Sequence, residues 1–326
     1  MVFIKRHLIT LSAIALLGIT SSSQLLAQTY PTKIVRIIVP FAAGGPVDVL
    51  ARTLSIKLSA ATGQQFIVDN KVGGGSIIAW DYVAKAAPDG YTLLVAGIGS
   101  RTILPYMANL PFDPAKDLVG VTRLSNAANI FVANPKAGIK TLPELVAKAK
   151  AAPNKFNIAI PAPGTVTHFA STLLQRDAGI QLTEVPYKGG APAMNAVLGG
   201  EVEVMTADIG AVMAQIQAGN LVPLAVGSPQ RLPMLPQVPT AIEAGYPNLV
   251  AVNVYGLFAP SGTPKEIVAK LNAAAAEVMR TPDVRDQLAK MGMLAETSSA
   301  EAFEVYLRGQ TAIWSPLAKA SGVRLN

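Results

Sequence analysis

Residues 33–52, KIVRIIVPFAAGGPVDVLAR, set an apolar run directly before a turn of small residues and a helix start. Ile34, Val35, Ile37, Ile38 and Val39 leave almost no polar position, the pattern of a strand covered by helices on both faces. Gly44 and Gly45 let the backbone turn sharply and come close to a bound group, or make a plain tight turn. Pro46 suits the first helical position, and Asp48 falls in the first turn. Such a junction aims free backbone N–H groups outward, where a carboxylate or phosphate can sit without a dedicated cation.

The same alternation continues along the chain. Phe66–Asp69 and Tyr91–Ala96 read as strands, with a helix over about 77–86 between them. Val119–Leu124 and Ile130–Ala133 are extended. Thr141-Leu142-Pro143-Glu144 and Thr263-Pro264-Lys265-Glu266 have capping-box spacing and open helices. Asn157–Ile160, Val185, Val202–Met205 and Leu224–Val226 mark further strands, and Pro163-Gly164-Thr165 leads into a helix carrying His168. Strands spaced by helices predict an α/β fold with parallel sheets, and ligands of such sheets bind outside the carboxyl ends of the strands. Four small-residue loops fall at such ends: Ala42–Gly45, Gly73–Ser76, Gly97–Thr102 and Ala162–Thr165. Together they predict a ligand cleft.

Several chemistries are excluded. There is no cysteine, so neither disulfides nor a thiolate nucleophile or metal ligand is possible. Residues 1–27 have a basic start at Lys5 and Arg6, an apolar stretch from Leu8 to Ile19, and small residues near Ala27. They read as a secretory signal peptide cut after Ala27, because the apolar core is shorter than the ~20 residues that span a bilayer. The net charge of +7 falls to +5 without them, since 27 basic residues less two leave 25 against 20 acidic ones. No basic run follows a nucleic-acid backbone, and a small anionic ligand fits a mildly basic exported protein better. One histidine, His168, remains after residue 27, which excludes a multi-histidine zinc site. Neither a G-x-S-x-G elbow nor a complete phosphate-binding glycine motif occurs. A binder is expected rather than an enzyme.

A run of segments then carries a family resemblance. VPFAAGGPVDVLAR (39–52), KAAPDGYTLLVAG (85–97), APGTVTHF (162–169), VPYKGGAPAMNAVLGGEVEVM (185–205), LAVGSPQRLPMLPQVPT (224–240) and YGLFAPSGTP (255–264) resemble, in order, the Bug-type solute-binding receptors of tripartite tricarboxylate transporters. The resemblance implies a type II periplasmic binding-protein fold, in which two α/β domains close over a small mono- or dicarboxylate and hand it to a membrane permease. It places one domain over 28–127 plus 230–326 and the other over 128–229, with crossings near Asn129–Asn134 and after Val226. It implies a periplasmic monomer with no metal and no organic cofactor. A ligand sensor engaging a sensor kinase is the alternative, and an exported α/β hydrolase using His168 a remoter one. Three stretches depart from the family pattern: Asn70–Ser76, Ser100–Thr102 and Thr206–Asp208. They lie where ligands are selected, so no relative's ligand transfers directly.

By that resemblance Phe41, Ala43 and Gly44 grip a carboxylate through backbone N–H groups and ordered water. Gly75 and Ser76 line the second loop. Asp48 repels an anion, so it either caps the helix or orients a bridging water. Arg101 is placed to take a second carboxylate in a bidentate pair, or else is solvated. Ser100 and Thr102 offer hydroxyls to ligand or to a helix end. Gly164 and Thr165 form a second anion nest, and His168 either faces the cleft or is structural. Tyr187 covers the ligand body and Lys188 adds charge. Asp208 accepts from an amino group, hydroxyl or water, or caps a helix.

Overall fold

The computed structural model describes residues 30–161, 163–187, 189–322 and 324. The expected signal peptide over 1–27, Ala162 and Lys188 lie outside the described residues. Strands are β1 Val35–Val39, β2 Phe66–Asn70, β3 Thr92–Gly97, β4 Leu118–Ala133, β5 Asn157–Ile160, β6 Thr183–Pro186, β7 Val204–Asp208, β8 Val222–Val226, β9 Val252–Pro260 and β10 Met293–Ala295. Helices are α1 Pro46–Thr62, α2 Ile77–Ala84, α3 Gly99–Thr102, α4 Leu142–Ala151, α5 Val166–Ala178, α6 Gly190–Gly199, α7 Ile209–Gln217, α8 Lys265–Arg280, α9 Pro282–Lys290 and α10 Ala300–Ala320. Among the described residues, no helix is long and apolar enough to cross a membrane.

Strand periodicity explains the apolar run of β1. Val35, Ile37 and Val39 point into one core with Leu50 and Leu54 of α1. Ile38 points the other way, among Trp80, Phe258 and Phe303. Each fully buried branched side chain stabilises the sheet by about 1.5–3 kcal/mol, and both faces need one. The other half of the molecule repeats the arrangement. Phe131, Ile158 and Phe169 share one core, and Ile130, Val132 and Ala159 another.

The sheet order is β2-β1-β3-β9-β4-β7-β5-β6, with β8 and β10 also paired to β4. The expected parallel pairing holds for β1–β2, β1–β3, β5–β6 and β5–β7. It fails for β4 and β9, which pair antiparallel with each other and with their other neighbours. The two extended pieces expected at 119–124 and 130–133 are one 16-residue strand. β4 pairs with β9 as far as Ala128, then with β7 and β8 from Asn129 or Ile130 onward. A strand serving two sheets in turn has to outlast both, so it does not read as two local hairpins. Where the pairing changes, Asn129 N–H donates to Ala251 O (3.0 Å), Gly227 N–H to Asn129 O (2.7 Å) and Ala251 N–H to Gly227 O (2.8 Å).

Helix ends follow their caps in part. Thr141 Oγ1 accepts from Glu144 N–H, the first half of the expected box, while Glu144 reaches Lys140 N–H. The second box does not form: Thr263 donates its hydroxyl to Pro260 O at 2.8 Å, and α8 starts after Pro264 without a side-chain cap. α10 is shared between the two halves. Phe303 and Leu307 enter the core with Ile38, whereas Trp314 and Ala318 enter the core with Phe131. The Phe169 and Trp314 rings meet edge-on at 6.2 Å.

Candidate functional site

The first loop, 40–45, is fixed from beneath by one carboxylate. Gly44 has φ +86°, and its N–H turns back to Asp48 Oδ2 at 2.9 Å. The same oxygen accepts from Arg52 Nε at 2.8 Å, and Oδ1 accepts from Asn70 Nδ2 at 2.9 Å. Asn70 Nδ2 also donates to Phe41 O at 2.8 Å, so strand β2 is tied to the loop after β1. Asp48 is therefore the fastening of the loop, close to the capping role expected. The expectation for Gly44 N–H is corrected: it is engaged inside the loop. Phe41 and Ala43 differ, since among the described residues their N–H groups have no protein acceptor, and Ala43 is exposed.

The second and third loops meet through hydroxyls. Ser76 Oγ lies 2.6 Å from Ser100 Oγ, with both residues buried. Ser76 holds φ +89°, a conformation that costs a non-glycine residue about 1–3 kcal/mol and concentrates at functional sites. Gly75, beside it, is exposed. Thr102 does not join them; it is fully buried and donates to Ile98 O at 3.1 Å. Arg101 is also a correction. Its guanidinium makes a bidentate pair with Glu304 of α10 at 2.9 and 2.7 Å and is 7% exposed. Glu304 Oε1 accepts from Gly120 N–H as well (2.7 Å). A carboxylate from the last helix has taken the position assigned to a ligand.

The facing lip belongs to the start of α5. A Cβ built on Gly99 would lie 3.3 Å from Thr165 Cα and 3.4 Å from Val166 N, and one on Gly75 3.8 Å from Pro163 O. Loops two, three and four thus converge within van der Waals reach. Gly164 does not offer its N–H as a nest, because that N–H donates to His168 Nδ1 at 3.1 Å. With Nδ1 accepting, the neutral ring carries its proton on Nε2, which faces Glu184 Oε2 at 3.0 Å. Thr165 Oγ1 caps the helix by accepting from His168 N–H. His168 is 3% exposed and is the structural histidine of the two alternatives. Tyr187 is half-buried and packs against the core that includes Ala193 and Val197.

Asp208 ends β7 at the seam between the halves. Asn253 Nδ2 donates to its Oδ1 at 2.5 Å, the Tyr255 hydroxyl to its Oδ2, and Asn129 Nδ2 to Oδ1 at a long 3.4 Å. Asn253 also donates to Thr167 Oγ1 at 2.9 Å, the second residue of α5. The Tyr255 ring lies 3.5 Å from a Cβ built on Gly97. Both lips therefore rest on this polar floor. Asn129, Asn253, Tyr255, Glu184 and Glu304 were not foreseen from sequence. Asn253 and Tyr255, two apart on one face of β9, were the readable signal.

Burial pushes Asp208 up and the Tyr255 hydroxyl well up, and the bonds between them only partly offset this for the carboxylate. Burial would also raise Asp48 and Glu184. For Asp48 the bonds from Arg52, Gly44 and Asn70 outweigh it, and for Glu184 those from His168, Ser171 and Gln175 do, so both fall below their ordinary values. A lowered carboxyl binds fewer protons folded than unfolded. Its stabilisation is complete above the unfolded pKa and disappears as pH falls through the folded one. Melting temperature is expected to drop steeply below about pH 4, and Asp48→Asn to flatten that drop while lowering the neutral-pH value. An unchanged acid limb in the variant would assign the sensitivity to other groups.

Known proteins resemble this chain along most of its length. The family described as tripartite tricarboxylate transporter family receptor matches residues 50–323. Protein BugT of Bordetella pertussis is 34% identical over 301 residues, 92% of each chain. MatC from Rhodopseudomonas palustris, solved with bound malate, is 31% identical at TM-score 0.83, covering 89% of this chain and all of that one. A second R. palustris protein, solved with adipate, is 30% identical at TM-score 0.85, over 90% of this chain and 99% of its own.

Proposed function

The chain belongs to the tripartite tricarboxylate transporter receptor family, and from that premise we propose that it captures a small organic carboxylate between two lobes and presents it to a membrane permease. The lobes are 28–127 with 230–326, and 128–229. The hinge is the bonded crossing of Asn129, Gly227 and Ala251. The protein works in the periplasm once residues 1–27 are removed, as a monomer that binds and releases without chemistry.

The observation that carries this reading is the set of N–H groups at Phe41 and Ala43, without acceptors among the described residues, on the loop after β1, with the Ser76–Ser100 hydroxyl pair on the loops after β2 and β3, the strands that flank β1. A carboxylate there takes N–H bonds worth about 1.5–3 kcal/mol each. Two such bonds, two hydroxyls and bridging waters reach the ~8 kcal/mol of micromolar binding once ordering costs are met. Malate and adipate in the two neighbours support the ligand class. Closure shifts toward the liganded form by the difference in affinity of the open and closed states.

Calorimetry of the chain from residue 28 onward against a carboxylate library tests the reading. One-to-one binding of at least one member is expected, weakened at least tenfold by Ser100→Ala. A library without a single binder rejects it.

A further inference from the structure

We infer that the cleft selects a carboxylate carrying a hydrogen-bond donor, a hydroxyl or an ammonium, at the end away from the gripping loops, and discriminates against a second carboxylate there. This deepens the receptor reading and rests on it.

The floor beneath the lips offers acceptors. Asp208 is partly open to solvent, while its partners Asn129, Asn253 and Tyr255 are buried. An ionised carboxyl has about four acceptor positions, and Asn129, Asn253 and Tyr255 fill three. Asn129 Oδ1, on a side chain with no exposure, has no partner. The orientation of that amide is set by its neighbour, because only Nδ2 can face a carboxylate. A hydroxyl or ammonium reaching the floor meets the open acceptor position of Asp208, with the enclosed Asn129 Oδ1 as a second negative end on the amide bonded to it. A carboxylate meets repulsion from the first and no donor from the second, and burial strengthens both effects.

Nothing cationic on the described loops offsets this. Arg101 is held by Glu304. Arg52 is held by Asp48. Lys71 sits 3.5 Å from Asp69 and over the Tyr82 ring at 4.2 Å. The bonds to Asp208 among the described residues come from the neutral Asn129, Asn253 and Tyr255, so an ammonium would bring the positive charge they lack.

Four-carbon acids separate the possibilities: butyrate, 3-hydroxybutyrate, 4-hydroxybutyrate, 4-aminobutyrate and succinate, titrated into the chain from residue 28 onward by calorimetry. The tightest binder is expected among the three donor-bearing acids, at least tenfold tighter than butyrate and about a hundredfold tighter than succinate. Asp208→Asn keeps the shape and removes the charge. It should bring the donor-to-butyrate ratio close to one and strengthen succinate. The wild-type ranking stands as a test even if that variant is unstable. Succinate binding tightest, or a donor preference that survives Asp208→Asn, overturns the inference and leaves the receptor reading intact. Succinate binding that depends on Lys188, shown by Lys188→Gln, overturns it too. No binding by any of the five, together with an empty carboxylate library, rejects the receptor reading and the inference with it.

Discussion

Gly210→Ala is expected to force the two lobes apart and weaken ligand binding by at least a hundredfold. Gly210 is the second residue of α7, and a Cβ there would lie 1.8 Å from Met291 O and 2.8 Å from Met291 C. Real Cβ contacts essentially never fall below 3.0 Å, and the obstructing atoms are backbone, so a rotamer change relieves nothing. The joint is dovetailed: Ile209 Cγ2 would be 2.3 Å from a Cβ on Gly292. Close-packed interiors do not absorb such an insertion, and overpacking costs about 1–3 kcal/mol. Met291 lies between α9 and β10 and meets the new Cβ with backbone atoms, which no side-chain movement clears, so the change should appear as a larger radius of gyration in X-ray scattering and lost affinity in calorimetry. Wild-type scattering and wild-type affinity together would show that α7 and Met291 are not in contact in solution.

Gly44→Val should abolish carboxylate binding while leaving the fold. A φ of +86° is unfavourable for a β-branched residue, by about 1–3 kcal/mol. Space does not oppose the side chain, since nothing lies within 4 Å of the built Cβ. The loop therefore relaxes out of the left-handed region. Gly44 N–H leaves Asp48, and the loop that carries the N–H groups of Phe41 and Ala43 loses that fastening. Charge-assisted bonds depend steeply on alignment. A binding isotherm indistinguishable from wild type would remove this loop from the site. Gly44→Ala, with less strain at the same φ, should fall between the two.

Local order was legible in the sequence where one short segment decides it. The apolar run at 34–39 specified a strand buried on both faces, and Pro46 marked the helix start to the residue. Pro163-Gly164-Thr165 marked a helix start, where Thr165, expected in an anion nest, is found as the cap. What sequence could not show was the partner of each polar group. Arg101 is 203 residues from Glu304, Asn129 is 79 from Asp208, and Tyr255 is 47 from Asp208. A loop arginine alone is equally consistent with ligand, solvent or a distant acid. The length of β4 was hidden for a related reason: its middle, Ser125 to Asn129, is polar enough to read as a break, yet each residue there pairs across strands.

The shared helix α10 changes how the halves can move. Two crossing strands alone would permit rocking, twisting and sideways slip. A third rib is packed into one core at Phe303 and Leu307 and into the other at Trp314 and Ala318, so twisting or slip would have to break packing in one of the two cores. Gly309 lies between those anchor points, exposed and with open space around it. A mid-helix glycine gives up about 1 kcal/mol of helix propensity against alanine, and here no packing need explains it. Gly309 and Pro316 are thus the two interruptions of helix propensity in the rib, one between the two pairs of anchors and one inside the second pair, and a bend of α10 has its lowest cost there.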